Sequence, residues 1–230
     1  FFFVKNFIEP RIIGITGTNG KSTTTALVGH ILRCAGLPVE IGGNIGLPVL
    51  GFENTLDAGY QVLELSSYQL ELTPSLCCEI AVILNISPDH LDRHGGMDGY
   101  KAAKLKIMES LPENAIAIIG VDDPESIGIA KWLIENEYKN LRVIPISGLI
   151  VPENGVGVLN GNIVSNINRE NEVVISLHDN TILPGVHNWQ NVAAATAVAL
   201  TLGISNNSIK NAISSFPGLP HRQELVGTFN

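Results

Sequence analysis

A glycine-rich turn between an apolar run and a helical segment constrains the fold of this chain more than any other feature. Residues 11–16 (RIIGIT) are apolar and rich in β-branched side chains, which indicates a buried strand. Residues 21–35 have the pattern of a helix, which Gly36 closes. The turn and the first residues of the helix read TGTNGKST at positions 16–23. A strand, a tight turn and a helix in this order predict an α/β unit with the turn at the edge of a sheet.

Strands and helices continue to alternate after this first unit. Apolar runs predict strands at 60–65, 79–85, 115–119 and 141–146, and longer segments predict helices at 98–110 and within 124–138. This alternation predicts the α/β class, with a P-loop-type, mainly parallel sheet flanked by helices. Residues 155–183 contain short Val and Ile runs broken by Asn and Gly, which predicts a small antiparallel β portion. Residues 188–203 and 206–215 predict a closing pair of helices.

Composition and charge exclude several classes of protein. The chain has 230 residues, of which 45% are hydrophobic and 16% are charged, so we expect a globular fold rather than a disordered chain. Its formal net charge of −8 provides no general attraction for nucleic acid. Cys34, Cys77 and Cys78 lack the spacing of a disulfide framework, and no apolar stretch is long enough to span a membrane. We therefore expect a cytoplasmic protein without a nucleic-acid or membrane partner. We also expect a monomer, although composition does not determine the oligomeric state.

The glycine-rich turn has the chemistry of a phosphate-binding loop. Backbone N–H groups and a helix dipole attract an anion, Lys21 offers a charge to the β and γ phosphates, and Ser22 offers a hydroxyl to Mg²⁺. The spacing is shorter than in the common G-x-x-x-x-G-K-[ST] loop, since position 15 is Ile15 rather than glycine. A plain strand-to-helix turn with a surface lysine is the alternative. We favour ATP or GTP binding, and the expected contacts are Gly17, Thr18, Asn19, Gly20, Lys21, Ser22 and Thr23.

A carboxylate ends the strand predicted at 60–65. In open α/β sheets the carboxyl ends of the strands lie at the same edge as the phosphate loop, so Glu64 is placed to bind a nucleotide-associated Mg²⁺. An ion pair with a surface lysine is the alternative for this side chain. His90 and His94 follow the strand at 79–85, but no cysteine or further Asp-His pair completes a tetrahedral zinc site. Mg²⁺ with mixed ligands therefore fits this edge better than zinc.

The order of these motifs resembles the Mur ligase superfamily, which includes peptidoglycan-precursor ligases and folylpolyglutamate synthase. The short loop GTNGKS at 17–22 is similar to the ATP loop of that superfamily, and ELSSYQLE at 64–71 is similar to a signature of its D-glutamate-adding branch. Further segments match in the same order, namely GGNIG at 42–46, DHLDRH at 89–94, YKAAK at 100–104, HNWQN at 187–191 and PHR at 220–222. The resemblance covers nearly the whole chain.

This resemblance implies roles that the residue types alone leave open. It implies that Lys104 carries a carbamate from CO₂, and that the carbamate binds a second Mg²⁺ together with His90, which also lies beside the substrate. A carbamate forms only on a neutral amine, so we expect the pKa of Lys104 to be lowered by burial or by nearby metal ions. Lys21, His90 and Lys104 are thus the expected catalytic residues. The resemblance also implies substrate contacts for Asn44 and Ser66, and nucleotide contacts for Asn191 and Arg222.

Neighbouring residues keep an ordinary structural interpretation. We expect Asn188 to cap the helix that follows it, and Trp189 to pack against the core. Charged side chains beside the motifs are expected to lie in solvent or in the surroundings of the site; they are Asp92, His94, Lys101 and Lys106.

The implied reaction joins an amino acid to a sugar nucleotide. In the D-glutamate-adding branch, ATP phosphorylates the carboxylate of UDP-N-acetylmuramoyl-L-alanine, and the amine of D-glutamate attacks the resulting acyl phosphate. Two Mg²⁺ ions and Lys21 would neutralise charge on the transferred phosphoryl group. Residues 1–216 are expected to form a central ATP-binding domain and residues 217–230 the start of a C-terminal ligase domain, with the N-terminal UDP-binding domain absent. We therefore expect the isolated chain to bind Mg-ATP and to be inactive as a ligase.

Other functions stay open at this stage. Another Mur-type ligase or folylpolyglutamate synthase would share most of these motifs. A regulatory P-loop NTPase that acts on a protein partner is a different class, but such proteins usually have the longer loop. A nucleotide-binding remnant without catalysis would be expected to lack some of the polar residues that are intact here.

Overall fold

The computed structural model describes residues 11–46, 48–52, 59–109, 111–178, 183 and 185–219. The strands in this part of the chain are β1 (Arg11–Thr16), β2 (Val39–Gly43), β3 (Tyr60–Glu64), β4 (Ile80–Ile83), β5 (Ile116–Gly120), β6 (Arg142–Ile146), β7 (Val156–Leu159), β8 (Asn162–Ser165) and β9 (Glu172–Ser176). The helices are α1 (Lys21–Cys34), α2 (Ser67–Leu72), α3 (Leu91–His94), α4 (Met97–Glu109), α5 (Pro124–Glu135), α6 (His187–Thr201) and α7 (Asn206–Ser214). None of the described helices is both long and apolar enough to cross a membrane.

The nine strands of the described residues form one sheet in the order β2-β3-β1-β4-β5-β6-β7-β8-β9. Neighbouring strands from β2 to β7 are parallel, whereas β7, β8 and β9 are antiparallel to one another. The two parts join through a residue pair between β6 and β7, where Ile146 lies opposite Val156. The predicted α/β class, with a mainly parallel sheet and a small antiparallel portion, is confirmed.

Helices cover both faces of the parallel part of the sheet. Ile80 and Val82 of β4 belong to the apolar cluster that contains buried residues of α1, α6 and α7. Ala81 and Ile83 belong to the cluster that contains buried residues of α2, α4 and α5. Every residue of β4 is therefore buried, as is typical of a parallel strand between two helical layers, and this explains its continuous apolar sequence.

Helix α1 lies between the two glycines that the sequence indicated. Gly20 precedes its first residue, and Gly36 follows its last turn with a φ of 77°. The N–H of Gly36 donates to the carbonyl of Arg33, and the N–H of Leu37 donates to the carbonyl of Leu32. This pair of hydrogen bonds is a Schellman motif, which stops the helix and satisfies its last carbonyls.

The sequence analysis missed the edge strand β2. No strand was predicted between residues 36 and 60, but Gly42 and Gly43 continue β2 beside β3 before the chain turns. Gly43 has a φ of 97°, and a Cβ at this position would lie 2.2 Å from the backbone oxygen of Glu64. Two glycines disfavour a strand in isolation, so the pairing depends on this close approach between β2 and β3.

Candidate nucleotide site

The predicted phosphate loop lies at the carboxyl edge of the parallel strands. Residues 17–20 connect β1 to α1, Glu64 ends β3, and Asn85 and Asp122 follow β4 and β5. Open α/β sheets bind ligands at this edge because strand ends and helix N-termini converge there. The structure thus brings the candidate residues of several distant segments to one place.

Gly20 sits where the loop enters α1. Its φ of 83° is left-handed, and a Cβ at this position would lie 2.1 Å from Oδ1 of Asn191. Asn191 is 4% exposed, accepts a hydrogen bond from Thr24 Oγ1 at 3.3 Å, and donates through Nδ2 to Oδ1 of Asn188 at 3.1 Å. The loop therefore packs directly against the first turns of α6, which the sequence associated with nucleotide binding.

Replacing Gly20 with alanine should distort the loop and destabilise the chain. A left-handed alanine costs about 1 to 2 kcal/mol, and the displaced Asn191 adds to that cost. Gly36→Ala is the matched control, because Gly36 is also left-handed at 77° but would meet nothing within 4 Å. Urea unfolding should show the larger loss for Gly20→Ala, and only that variant should bind ATP more weakly. Equal effects of the two substitutions would mean that the contact with Asn191 does not matter.

Two lysines converge on one carbonyl oxygen of the loop. Lys21 Nζ donates to the carbonyls of Gly17 at 3.0 Å and Thr18 at 2.9 Å, while Lys104 Nζ donates to the carbonyl of Gly17 at 2.8 Å. Lys104 is 1% exposed. Burial, and in second place the charge of Lys21, lower the pKa of Lys104 to about 7. The predicted lowering of this pKa is confirmed, and a large fraction of the Lys104 amines is neutral near pH 7.

Tyr100 connects α4 to the loop. Its hydroxyl lies 3.1 Å from Oγ1 of Thr18, and its ring centroid lies 4.7 Å from Nζ of Lys104. Thr18 Oγ1 is also 3.2 Å from the carbonyl of Ser87 and accepts from the N–H of Ser87 at 3.0 Å. Helix α4, the loop and the segment after β4 are therefore joined around Thr18. The spacing of Tyr100 and Lys104 by four residues, one helical turn, is the signal from which this contact could have been predicted.

Glu64 has the properties of a cation ligand. The residue is 2% exposed, and Oε1 accepts a hydrogen bond from Nδ2 of Asn44 at 3.1 Å. The other carboxylate oxygen, Oε2, is buried and has no hydrogen-bond partner within the described protein. A buried carboxylate oxygen without a partner is costly, and a hard cation would satisfy it. Ser22, a predicted ligand at the start of α1, is also buried.

The predicted metal ligands carry different kinds of donor atom. No group of three or more His, Cys, Asp or Glu side chains suited to a metal occurs in the described part of the chain. The predicted ligands Ser22, Glu64, His90 and Lys104 include only two residues of those four types. Ser22 and Glu64 offer the oxygen donors that Mg²⁺ prefers, His90 offers a nitrogen, and Lys104 would contribute oxygen only after carbamylation.

His90 and His94 have different environments. His90 is a left-handed residue with a φ of 50° that precedes α3, and its side chain is about half exposed. The His94 side chain is buried at 1% exposure, with Nε2 3.0 Å from Oγ of Ser67 and Nδ1 3.4 Å from Oε1 of Glu71. Of the two positions expected for His94, in solvent or in the surroundings of the site, the first was wrong, because the side chain packs between α2 and α4. Asp92 is exposed, as expected.

The N-terminus of α6 borders a cavity beside the loop. This cavity has a volume of about 340 Å³ and is lined on one side by Asn19, Gly20 and Thr23 and on the other by residues 187, 188 and 191.

Helix α6 begins at His187, so Asn188 lies inside the helix and the expectation that it caps the helix was wrong. Trp189 packs against the core, as expected. Ser66 caps α2 through a hydrogen bond from the N–H of Gln69. Arg222 lies outside the described residues.

This chain is similar to Mur ligases in sequence and structure. A profile of the Mur ligase middle domain matches residues 15–199. The UDP-N-acetylmuramoylalanine–D-glutamate ligase of Rhodospirillum rubrum is 52% identical over 214 residues, which are 93% of this chain and 44% of that protein. A solved UDP-N-acetylmuramoyl-L-alanyl-D-glutamate–2,6-diaminopimelate ligase superposes with a TM-score of 0.75 at 25% identity, over 95% of this chain and 48% of that chain. A MurF ligase from Thermotoga maritima in complex with ADP superposes with a TM-score of 0.65 at 22% identity, over 94% of this chain and 50% of that chain. The chain thus spans about half the length of these relatives.

Proposed function

The chain belongs to the Mur ligase family, and from this premise we propose that it is the ATP-binding middle domain of a ligase that joins D-glutamate to UDP-N-acetylmuramoyl-L-alanine. The observation that carries the proposal is the 52% identity to a ligase of that specificity over 93% of the chain. Lys21 and Lys104 meet at the carbonyl of Gly17, and Glu64 ends the strand that pairs with β1, which supports the ATP-dependent part of the reaction.

In the proposed reaction, residues of the loop edge bind the reactants and stabilise the transferred phosphoryl group. The loop N–H groups and Lys21 would hold the ATP phosphates, because the positive end of α1 and the ammonium favour anions there. Ser22, Glu64, His90 and carbamylated Lys104 would hold two Mg²⁺ ions. When bound, these ions would supply positive charge to the phosphoryl oxygens and the substrate carboxylate.

The nucleotide and sugar-nucleotide contacts complete the proposal. Asn191 would contact the nucleotide, since it lines the cavity next to Gly20. Arg222 would reach the same nucleotide. Asn44, held against Glu64, and Ser66, at the start of α2, would contact the sugar-nucleotide substrate. His90 would lie beside that substrate, and its exposed side chain is accessible to it.

The remaining parts of the enzyme are proposed to come from flanking domains. We propose residues 1–216 as the middle domain and residues 217–230 as the beginning of a C-terminal domain, in agreement with a chain that spans about half the length of its relatives. A UDP-binding domain would precede it. The cysteines within the described residues are free thiols, which suits the cytoplasmic localisation that we propose. We propose that the protein acts as a monomer.

Phosphate release by the full-length protein that contains this chain should depend on D-glutamate. The assay contains ATP, Mg²⁺ and UDP-N-acetylmuramoyl-L-alanine, and it compares D-glutamate with L-glutamate, L-lysine and no amino acid. Only D-glutamate should sustain turnover, because the acyl phosphate needs the acceptor amine to release phosphate productively. The isolated 230 residues should bind Mg-ATP without forming the amide.

Two results would contradict the proposal. Phosphate release that needs neither the sugar nucleotide nor an amino acid would indicate a different NTPase. Release that responds to L-lysine or to another acceptor instead would indicate a sister ligase, with the ATP site unchanged.

A further inference from the structure

A chain of side-chain hydrogen bonds supports the phosphate loop from behind. It runs from Asp122 after β5, through Gln190 of α6, to Asn85 after β4, and ends on the backbone of Asn19. We propose that Gln190 is a positioning residue, which acts through Asn85 to hold the loop in its nucleotide-binding conformation before nucleotide arrives. The inference rests on the proposed binding of ATP at this loop.

Asn85 forms three hydrogen bonds with the loop. The N–H of Asn19 donates to Oδ1 of Asn85 at 2.8 Å, and Nδ2 of Asn85 donates back to the carbonyl of Asn19 at 3.2 Å. The N–H of Thr18 donates to the backbone oxygen of Asn85 at 2.9 Å. Because one side-chain amide holds both the donor and the acceptor of Asn19, its orientation decides whether this part of the loop is fixed.

The charge of Asp122 sets the orientation of the two side-chain amides that connect it to the loop, those of Gln190 and Asn85. A carboxylate only accepts hydrogen bonds, so the Gln190 amide must turn Nε2 toward Oδ2 of Asp122, at 2.8 Å. Oε1 of Gln190 then faces Nδ2 of Asn85 at 3.0 Å and accepts from it. This in turn directs Oδ1 of Asn85 toward the N–H of Asn19.

Asp122 is itself held in place. Ser147 Oγ donates to Oδ1 of Asp122, and the N–H of Gly148 donates to Oδ2 at 2.7 Å. The hydrogen bonds that link Asp122, Gln190, Asn85 and Asn19 are called the relay below. The relay is anchored to the segment after β6, which lies two strands away from β4 and Asn85 in the sheet order. A carboxylate with several hydrogen-bond donors is a stable anchor, because charge-assisted bonds are stronger than neutral ones.

Gln190 has little freedom to adopt another position. It is 8% exposed, and Cβ atoms built on Gly120 and Gly148 would each lie 3.0 Å from it, at Nε2 and at the backbone nitrogen respectively. Its neighbour Asn191 packs against Gly20, the loop residue that follows Asn19. Two successive residues of α6 thus support two successive residues of the loop, which should reduce the entropy lost when phosphates bind.

Hydrogen exchange of the Asn19 amide, measured without nucleotide, tests the relay directly. In the full-length protein, Gln190→Ala should raise the exchange rate of the Asn19 N–H about five- to tenfold, since the side chain that accepts from it loses its support. Gln190→Glu should have at least as large an effect, because it places a carboxylate against Asp122. Adding Asp122→Asn to Gln190→Glu removes one of the two charges and should restore part of the protection.

Three internal comparisons separate this effect from general destabilisation. The Thr18 N–H bonds to a backbone oxygen, so its exchange should change less than that of Asn19. Amides of β9 and α7 should be unaffected. Asn206→Ala removes another amide-to-carboxylate bond, the one from Nδ2 to Glu172 at 3.2 Å, and it should leave the Asn19 exchange unchanged.

ATP binding gives the functional part of the test. The KM for ATP should rise severalfold in Gln190→Ala while kcat at saturating ATP stays within about twofold, because only the fraction of correctly placed loops falls. Unchanged Asn19 exchange in both Gln190 variants would overturn the inference, and so would lost protection with unchanged ATP affinity. If the wild-type protein failed to bind ATP, the proposed function would be refuted instead. That result needs no variant, so the two failures can be told apart.

Discussion

Replacing Lys104 with methionine should abolish ligase activity in the full-length protein and at the same time stabilise the chain. The Lys104 ammonium is almost completely buried, and its pKa of about 7 results from burial and from the charge of Lys21. In the unfolded chain the same amine is protonated at pH 7. Folding must therefore remove either its hydrating water or its proton, and both cost free energy. Methionine has a similar shape without the charge, and such replacements commonly stabilise by about 1 to 4 kcal/mol.

The gain in stability should depend on pH in one direction. Because the pKa of Lys104 is lower in the folded chain, its unfavourable contribution is fully present below about pH 7 and disappears as the pH rises toward the ordinary lysine pKa of 10.5. Urea unfolding of wild type and Lys104→Met should therefore differ most at pH 7 and below, and the two should converge toward pH 10. A difference that grows with pH would contradict the assignment.

The loss of activity should be specific to this lysine. Without an amine no carbamate can form, and we expect kcat to fall by roughly a thousandfold, as for other groups that stabilise charge in the transition state. Short carboxylates added to the Lys104→Ala variant should restore part of the activity by replacing the carbamate oxygens. Lys101→Met is the matched control on the same helix, because Lys101 pairs at the surface with Glu125. It should stay active and change stability by less than about 1 kcal/mol.

The sequence predicts the sheet best where each strand is enclosed by two helical layers. Strand β4 was recognised because all four of its residues are apolar, and α1 because glycines mark both of its ends. The edge strand β2 was missed because Val39–Gly43 is only partly buried and ends in two glycines. Its partner is set by the contact of Gly43 with the backbone of Glu64, which local sequence does not encode.

For the candidate site, too, the sequence predicts at which edge of the sheet a residue lies but not which atoms it contacts. That Lys21, Glu64 and His90 follow strand ends could be derived from the α/β pattern, because such ends share an edge. That Lys104 donates to the carbonyl of Gly17 could not, since the two residues are 87 positions apart and meet only when α4 packs on the sheet. The burial of His94 was missed for a similar reason, because a one-turn helix gives too short a periodic pattern to assign a buried face.

The relay through Gln190 could not be predicted from the sequence either. Asn85, Asp122 and Gln190 are ordinary polar residues at the ends of different elements, and none belongs to the motif residues given a role. Their connection depends on donor and acceptor directions, which only the folded arrangement fixes. The available signal is a polar residue two positions after the end of a buried parallel strand, and Asn85 and Asp122 both have it.

Replacing Glu64 with glutamine should remove a cation ligand while leaving the fold intact. Glutamine keeps an oxygen to accept from Nδ2 of Asn44, but an uncharged NH₂ group replaces the buried Oε2 that lacks a partner. An NH₂ group cannot bind Mg²⁺. We expect kcat of the full-length protein to fall by roughly a thousandfold.

The magnesium dependence distinguishes this role from a structural one. If Glu64 binds Mg²⁺, the Mg²⁺ concentration for half-maximal activity should rise in Glu64→Gln, while thermal unfolding without metal should occur at the wild-type temperature or above, because a buried charge is removed. Glu79→Gln is the matched control, since Glu79 precedes β4 at the opposite edge of the sheet and pairs with Arg11. It should leave the Mg²⁺ titration unchanged. Wild-type activity in Glu64→Gln would exclude a metal role for this carboxylate, and so would a loss of activity at an unchanged Mg²⁺ midpoint.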